Sequence, residues 1–470
     1  MCDSLKAIDA AGCSILDFKG TRKTTHISWG EVPPGLHLDN SQAPIGENAD
    51  TEYPSKMDKE IGMHGERQKQ PLEGIRILEC GVYHAGPGGS AILGDLGAEV
   101  IKVEQPGVGD PLRGLKRVGS IPFEIPGQRS IFCEGANRNK KSVTVNLNTR
   151  KGQDIVHALV RHADVFLTNM RPQALEGMNI TFPVLRKVNP KLIYASVSAF
   201  GPKGPERDRG GFDYQGQARS GIMYSMGEEG MPPLVCQFGL IDQATAIMAS
   251  HQILSALFMR ERFGTAQEVH VSILGSATFL LYFNILIRQM GGFDSPRHKR
   301  ATEHPLRNYY RCADARWLMM TLTPPEKYWG PLCRAIGRPD LEKDPRFDTD
   351  EKLFENAREL VRILDEIFAA RTRDEWLQIF APHDFFCCAV NTTEELTHDP
   401  QVIENEYIID FDHPTLGKIK IPGYPGHFSQ SWARTTRAAP DLGEHTDEVL
   451  MELGGYTPEE IAQLRAEGVV

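Results

Sequence analysis

From Gly74 onward, short apolar runs alternate with segments of helical periodicity. In segment 151–163, for example, apolar residues such as Ile155 and Leu159 recur three or four positions apart, as on one face of a helix. The strand-like runs are 76–80, 99–104, 141–147, 164–169 and 191–200. A strand, helix, strand order predicts a mostly parallel sheet with helices packed on it. Because these runs are almost continuously apolar, we expect both faces of the sheet to be covered.

The chain has 470 residues, enough for two or three domains at about 150 residues each. Residues 1–70 lack periodicity and are rich in Gly, Pro, Asn and charge, which indicates an irregular N-terminal extension. After about residue 290 the sequence becomes polar and proline-rich, as at a crossing to a second domain. That domain contains strand-like and helix-like runs at 317–323, 326–336, 351–370, 373–380 and 384–390. A capping box from Thr457 to Glu460 predicts a C-terminal helix.

Charge and cysteine content exclude several classes of protein. The chain carries 52 Lys+Arg and 62 Asp+Glu, a net charge of −10, so it has no general basic field for DNA or RNA. The nine cysteines show no C-x-x-C spacing and the histidines no metal-ligand spacing, so no metal site is predicted. The N-terminus has no secretory pattern, and the longest uncharged apolar stretch, 272–287, is shorter than the roughly 20 residues of a spanning helix. We expect a soluble cytoplasmic protein without nucleic-acid or membrane partners.

The turn after the first strand is rich in glycine. Gly86, Gly88 and Ala91 satisfy G-x-G-x-x-A, and Glu104 ends the second strand where a ribose-binding acid would stand in a dinucleotide site. Three interpretations remain open here: an NAD site, a site for another phosphate-containing ligand, and a tight turn without a ligand. The first two share a glycine-permitted turn whose backbone N–H groups approach an anion. His84 in the same turn is either a ligand contact or a structural residue.

Two aspartates stand at predicted helix starts. Asp242 comes at or just before a long apolar helix, and Asp213 follows two glycines ahead of a shorter one. An N-cap is the simplest role for each. At the same place the positive end of the helix favours an ionised carboxylate, which can act as a nucleophile towards an acyl carbon. Arg171, after a strand end, is either a bidentate phosphate ligand or a surface residue.

Together these segments resemble the class III CoA-transferases, also called the CaiB/BaiF family. This family includes formyl-CoA:oxalate and crotonobetainyl-CoA:carnitine transferases and α-methylacyl-CoA racemases. The likeness runs from about Leu72 to Val470 and leaves the first 70 residues uncovered. The matching pieces are PLEGIRILECGVYHAGPGGSAILGDLGAEVIKVEQPGVGDPLRG, NRNKKSVTVNLNTRKGQ, ADVFLTNMRPQALEGM, LIYASVSAFGPKGP, GFDYQGQARSGIM, the segment around Asp242, and APDLGEHTDEVLMELGGY.

The resemblance implies an architecture. A Rossmann-like large α/β domain would be built from residues 71–290 and 410–470, with a smaller α+β domain at 300–405. Two chains would interlink as rings, as a homodimer or as a heteromer with a partner subunit. The active site would then lie between the large domain of one chain and the small domain of the other.

The resemblance also implies a chemistry, in which Asp242 attacks the donor thioester, forms a mixed anhydride and then becomes an aspartyl-CoA thioester. CoA and acyl-CoA would be substrates, together with a free carboxylic acid, and no tightly bound cofactor is implied. The residues that would contact CoA by this resemblance are His84, Ala85, Gln105, Val145, Asn148, Asn169, Met170, Arg171, Gly211, Phe212 and Asp213.

Two positions depart from the pattern of the family. Gln105 stands where many relatives have an Arg that contacts the CoA nucleotide, and Phe212 stands where the racemases have a His. Without that His, proton exchange at the α-carbon lacks one of its two bases, so a transferase is favoured over a racemase or isomerase. The Gly-rich small-domain loop of oxalate-type members is not evident, which favours a larger carboxylic acid. A non-catalytic partner subunit of a hetero-oligomeric transferase is the other alternative, against which the presence of Asp242 argues.

Overall fold

The computed structural model describes residues 68–470 and the backbone of two short strands, Ile15–Leu16 and Arg22–Lys23, which pair antiparallel. The backbone divides into two units, Met1–Pro54 and Ser55–Val470. Apart from those strands and its last three residues, the predicted extension at 1–70 lies outside the described residues, so it stays a prediction.

A six-stranded parallel sheet is the centre of the second unit. Its strands are β1 (Arg76–Cys80), β2 (Glu99–Glu104), β3 (Lys140–Thr144), β4 (Val165–Thr168), β5 (Ile193–Ser198) and β6 (Glu268–Ser272). They lie in the order β6-β5-β4-β1-β2-β3, the strand order of the doubly wound Rossmann fold. The predicted parallel sheet is therefore confirmed, although β6 was not predicted. In such a sheet ligands bind at the carboxyl ends of the strands where the order reverses, which here is between β1 and β4.

Helices cover both faces of this sheet. They are α1 (Pro87–Asp95), α2 (Ile131–Asn137), α3 (Arg150–Val160), α4 (Pro172–Gly177), α5 (Phe182–Val188), α6 (Asp213–Ser220), α7 (Ile222–Ser225), α8 (Leu240–Phe263), α9 (Ile273–Leu280) and α10 (Tyr282–Leu286), with a 3-10 turn at Pro111–Gly114 and a π turn at Ile287–Gly291. Neighbours on β1 show the two-sided burial: Ile77 belongs to the hydrophobic cluster on the α1 and α8 side, and Leu78 to the one on the α3 and α5 side. The central strands are therefore mostly apolar, because both of their faces are core.

Residues 306–380 bury a separate hydrophobic cluster beside a three-stranded antiparallel sheet. The sheet contains β7 (Arg307–Arg311), β8 (Trp317–Thr321) and β9 (Cys387–Val390). The helices of this part are α11 (Pro325–Ala335), α12 (Asp350–Glu355), α13 (Ala357–Phe368), α14 (Arg373–Phe380), α15 (Thr393–Leu396) and α16 (Pro400–Glu404), with 3-10 turns at Arg300–Thr302 and Leu341–Lys343. The run at 351–370, predicted as one helix, is therefore two. The predicted domain boundaries at 71–290, 300–405 and 410–470 stay predictions.

The C-terminal segment returns to the large sheet. It contains a hairpin of β10 (Ile408–His413) and β11 (Gly417–Pro422), then α17 (Thr446–Val449), a π turn at Leu450–Gly454 and α18 (Pro458–Ala466). Side chains of α18 and of the chain end, Ile461 and Val470 among them, pack into the cluster on the α3 side. The capping box of α18 is confirmed, since Thr457 accepts from the Glu460 N–H and Glu460 from the Thr457 N–H.

Among residues 68–470, no single helix is long and apolar enough to cross a bilayer. Ile273–Leu280 and Tyr282–Gly291 meet the length and composition requirement only as a pair, and they are bent by 71° at their junction.

Four charged side chains lie fully buried beneath the turn that follows β1: Glu79, Lys102, Lys140 and Asp110, whose Oδ2 lies 3.0 Å from Lys102 Nζ. Glu79 accepts from the ammonium groups of Lys102 and Lys140, each at 2.6 Å, and all three side chains have 0% exposure. Burial opposes ionisation of Glu79, but the two lysines outweigh it and hold its pKa below the usual value. Lys102 also donates to the carbonyl of Gly81 and Lys140 to that of Pro87, both at 2.8 Å. The cluster therefore fixes both ends of the turn.

Replacing Glu79 by Gln is expected to destabilise the fold by about 3 to 5 kcal/mol, because two buried ammonium groups lose their shared counter-charge. Urea unfolding of E79Q and the wild type measures the difference. The control is Asp154→Asn, which removes an exposed pair with Arg150 and is expected to cost less than about 0.5 kcal/mol. Equal stabilities for E79Q and D154N would contradict the importance of the cluster.

Candidate active site

Asn169, directly after β4, binds the turn after β1 across the point where the strand order reverses. Its Oδ1 accepts from the Val82 N–H at 2.9 Å and its Nδ2 donates to the Val82 carbonyl at 2.6 Å. A Cβ on Gly81 or Gly86 would lie 3.1 or 3.2 Å from the Asn169 side chain. Between residues 81 and 89 the one positive φ, 62°, belongs to Tyr83. These glycines are therefore not required for a left-handed backbone in the turn. They are required because the side chain of Asn169 lies too close for a Cβ.

Helices α1 and α8 also touch through glycine. A Cβ on Gly88 would lie 3.0 Å from the Cβ of Ala246, and one on Gly89 would lie 3.0 Å from the Cβ of Ala249. This contact brings the first turn of α8 against the turn after β1. There, His84 Nε2 lies 2.7 Å from Gln243 Oε1. Because an amide oxygen only accepts, this contact assigns the ring proton of His84 to Nε2.

Asp242 is the third residue of α8, and its predicted N-cap role is wrong. Gly239 occupies the N-cap position in a left-handed conformation, with a φ of 77°. The carboxylate of Asp213 accepts from the N–H groups of Ile241 and Asp242 at 2.6 and 3.0 Å. Asp213 thus caps α8, and it does not cap α6, of which it is the first residue after Phe212 at the N-cap. An acceptor 28 residues earlier in the chain satisfies these N–H groups.

Two buried polar atoms at this junction have no hydrogen-bond partner among the described residues: Asp242 Oδ1 and His84 Nδ1. Burial, reinforced by the carboxylate of Asp213, raises the pKa of Asp242 to about 7. The positive end of the helix was expected to favour the ionised carboxylate of Asp242, but burial and the charge of Asp213 oppose ionisation more strongly. Burial lowers the pKa of His84 and favours its neutral ring. Unpartnered buried acceptors on two packed elements are what a bound polar molecule would satisfy.

The loop before α6 lies beside the same turn. A Cβ on Gly210 would overlap the guanidinium of Arg171, and one on Gly211 would lie 3.1 Å from the Cβ of Ala199. The ring of Phe212 is 58% exposed and meets Tyr83 edge-on at 5.3 Å. Arg171 is exposed and makes no ion pair within the part of the chain that the structure describes. The structure thus brings the loops after β1, β4 and β5 together with the start of α8.

The remaining predicted contact residues are distributed differently. Ala85 and Val145 are buried in the hydrophobic clusters, and Met170 packs with its sulfur 3.6 Å from that of Cys80, so a ligand would meet mainly their backbone. Gln105 and Asn148 are exposed after β2 and β3. Gln105 follows the strand next to β1, whereas Asn148 follows β3, which is two strands from β1, or about 10 Å away in a sheet.

Glu104 does not have the role that an NAD site requires. It is buried and receives hydrogen bonds from Arg113 at 2.8 and 2.7 Å, from Ser142 Oγ at 2.6 Å and from the Asp110 N–H at 2.9 Å. A carboxylate committed to these donors is not available to a ribose hydroxyl, so the dinucleotide interpretation is wrong at this residue. Among residues 68–470 no cluster of three or more His, Cys, Asp or Glu side chains could hold a metal ion.

Several residues at the site escaped the sequence analysis. Gln243 next to Asp242, Tyr83 next to His84, and the buried lysines beneath the turn were not singled out. A signal existed for the last group, since Lys102 is a charged residue in the middle of the apolar run EVIKVE, as Glu79 is in RILEC. A charge at the centre of a predicted buried strand requires a buried partner.

Comparison with known proteins agrees with the resemblance. Residues 72–446 match the model of CoA-transferase family III. An acyl-CoA transferase of Fusarium pseudograminearum is 34% identical over 406 residues, which is 85% of this chain and 88% of that protein. The (R)-2-hydroxy-4-methylpentanoate CoA-transferase of Clostridioides difficile is 31% identical over 400 residues, 85% of this chain and 99% of that protein. The crystal structure of a CaiB/BaiF family protein from Brucella suis superposes with a TM-score of 0.73 at 29% identity, over 82% of this chain and 100% of that one.

A methyl group at Gly89 is expected to separate α1 from α8 and to move the Asp242 turn. We expect Gly89→Ala to destabilise the fold by about 1 to 3 kcal/mol, the usual cost of overpacking. Gly135→Ala is the control, because a Cβ there meets nothing within 4 Å and replaces a helical glycine. It should stabilise the fold by about 0.5 to 1 kcal/mol. Urea unfolding checks both, and a G89A variant as stable as G135A would contradict the tight contact.

Proposed function

Because the chain belongs to CoA-transferase family III, we propose that it moves CoA from an acyl-CoA thioester to a free carboxylic acid with Asp242 as the nucleophile. The family and the enzyme class predicted from the sequence are confirmed. Acyl-CoA and the acid are its substrates, and the proposal requires no tightly bound cofactor.

The observation that carries the proposal is the state of the Asp242 carboxylate. Its Oδ1 is buried and has no hydrogen-bond partner in the described part of the chain, and its pKa is raised to about 7, so at neutral pH a large fraction is a poorly solvated anion. Such an anion is a stronger nucleophile than a solvated carboxylate of ordinary pKa. An N-cap or a salt-bridged aspartate would have its lone pairs engaged instead.

Four exchanges complete the proposed reaction. Asp242 attacks the acyl carbon of the donor and the CoA thiolate departs. The product is a mixed anhydride between Asp242 and the donor acyl group. The thiolate attacks the aspartyl carbon and expels the donor acid as carboxylate, which gives an aspartyl-CoA thioester. The acceptor carboxylate attacks that thioester, releases the thiolate and forms a second mixed anhydride. The thiolate then attacks the acceptor acyl carbon of this anhydride and frees Asp242. No water is consumed, and one difficult exchange is split into steps between acyl groups of similar reactivity.

Other residues have proposed binding roles. The turn after β1, held by Asn169, presents backbone N–H groups and the N-terminus of α1 to an anion. The guanidinium of Arg171, which makes no ion pair within residues 68–470, suits a CoA phosphate. Gln105, Val145 and Asn148 remain predicted contacts further along the strand ends. The neutral His84 offers Nδ1 as an acceptor, a role that fits a thioester-side amide or hydroxyl better than a phosphate.

We propose an acceptor acid larger than formate or oxalate. The exposed rings of Tyr83 and Phe212 stand beside the Asp213–Asp242 junction and offer apolar surface that a one- or two-carbon acid leaves unused. Phe212 has no proton to exchange, which favours transfer over racemisation. Screening acyl-CoA donors against carboxylic acids by chromatography tests the size preference, with deuterium wash-in at the α-carbon as the readout for racemisation.

Replacing Asp242 by Asn is expected to lower the transfer rate by at least about 10⁴-fold, because the amide cannot form the anhydride or the thioester. With the wild type, incubation with acyl-CoA followed by hydroxylamine or borohydride and peptide mass spectrometry should find the modified residue at Asp242. Asp154→Asn, which removes an exposed ion pair with Arg150 on α3, is the control and should retain full activity. Unimpaired transfer by D242N would refute the proposed nucleophile.

An interlinked homodimer is the proposed assembly. Apolar side chains on α9, α10 and the following turn are unusually exposed in the single chain, with Phe279 at 64%, Phe283 at 74% and Met290 at 81%. A contiguous apolar surface of this kind is typical of a protein interface. Covering one such ring contributes about 1.5 to 3 kcal/mol.

Sedimentation velocity is expected to give the mass of two chains. Because closed rings cannot part without unfolding, a tagged copy mixed with an untagged one should not exchange subunits over days. Phe283→Asp should reduce the yield of dimer, whereas Val108→Asp, at an exposed loop residue, should not. A single-chain mass, or activity only after a second polypeptide is added, would contradict the homodimer.

A further inference from the structure

We propose that Asp213 is a positioning residue for the nucleophile: it holds the first turn of α8 and keeps the Asp242 carboxylate free for chemistry. This inference rests on the proposed role of Asp242. It assigns Asp213 to the enzyme's own helix, in place of the CoA contact implied by the resemblance.

The first turn of a helix has backbone N–H groups that need an acceptor from outside the helix. A carboxylate near such a turn commonly satisfies them itself. Asp242 does not, because Asp213 Oδ2 accepts from both the Ile241 and the Asp242 N–H. The nearest acidic side chain of α8 is thereby released from capping, and its Oδ1 has no partner among the described residues.

Asp213 is itself held in place. Gln217, one turn along α6 and fully buried, donates to Asp213 Oδ1 at 2.5 Å. The side-chain amide of Gln217 also forms two hydrogen bonds to the backbone of Cys236. Its Nε2 donates to the carbonyl at 2.6 Å, and its Oε1 accepts from the N–H at 3.0 Å. Asp213 therefore stands between a side chain fixed on one element and the start of another, with only 5% of its surface exposed.

The charge of Asp213 matters beside its geometry. Two carboxylates at one helix start repel, which favours any state in which Asp242 has lost its charge. Acylation of Asp242 produces such a state, so Asp213 stabilises the anhydride and thioester relative to the free enzyme. Among the described residues, the other titratable group at this junction is His84, joined to α8 through Gln243, with Lys140 and Arg138 acting on the ring of His84. The partial positive charge at the start of α8 acts in the opposite direction to Asp213.

Asp213→Asn and Asp213→Glu change charge and geometry to different extents. The Asn variant removes the charge and keeps one accepting oxygen for the N–H groups of α8, while its NH2 faces the donating Nε2 of Gln217; the Glu variant keeps the carboxylate and displaces both oxygens. Carbodiimide labels only protonated carboxyls, so the pH at which Asp242 is half labelled, read by peptide mass spectrometry without substrate, reports its protonation. Steady-state kinetics supplies kcat, and Asp154→Asn, on the exposed face of α3, is the control.

For D213N we expect the labelling midpoint of Asp242 to fall by about one pH unit, because a like charge is removed. Its kcat above pH 8 should fall about tenfold, the rate equivalent of one pH unit. For D213E we expect the midpoint to stay close to that of the wild type, with a kcat at least about tenfold lower because the helix start is displaced.

A D213N midpoint equal to that of the wild type, or an unchanged kcat, overturns the proposal. Should D213N fail to fold, D213E decides alone, since a wild-type kcat in that variant also overturns it. The labelling needs no turnover, so a wild type that forms no aspartyl-CoA thioester would defeat the proposed nucleophile and leave the midpoint readable.

Discussion

The buried contact between Glu79 and two lysine ammonium groups determines where the turn after β1 lies. A buried ammonium needs an anion and further acceptors, and here these acceptors include the carbonyls at the two ends of that turn, on Gly81 and Pro87. A shift of the turn would remove one acceptor from Lys102 or Lys140 in the core. Asn169 restrains it from the neighbouring strand, so the turn is held from below by charge and from the side by hydrogen bonds.

Close packing between α1 and α8 connects this turn to Asp242, the proposed nucleophile. Helix α1 continues directly from the turn and touches α8 closely at Gly88 and Gly89, where an added Cβ would lie 3.0 Å from Ala246 or Ala249. Because close-packed contacts transmit displacement, the position of the α8 start follows that of the turn. Capping by Asp213 completes the path from a third element. The site thus assembles three loops on rigid supports, and the nucleophile needs no hydrogen bond to its own side chain to be placed.

The sequence was informative wherever the signal was local. Strands β1 and β2 were predicted at their observed bounds, because an apolar run between turn residues is a short-range pattern. Asp242 stays the predicted nucleophile, but its N-cap role was wrong: the acceptor for the Ile241 and Asp242 N–H groups is Asp213, 28 and 29 residues earlier, and no local pattern reveals it. The pairing of Glu79 with Lys102 depends on the register of β1 against β2. The requirement for glycine at Gly88 and Gly89 likewise becomes apparent only when α8 is packed on α1.

The charges at the site imply an order of binding for the proposed reaction. The free enzyme presents two carboxylates at one helix start, which disfavours entry of an anionic acid but not of an uncharged thioester group. Once Asp242 is acylated or carries CoA, one of those charges is gone and the acceptor carboxylate meets less repulsion. The acid is therefore admitted mainly after the donor has reacted, which is the sequence that covalent transfer requires. Because Asp213 takes no part in the proposed covalent exchange, the difference between these two states arises at Asp242.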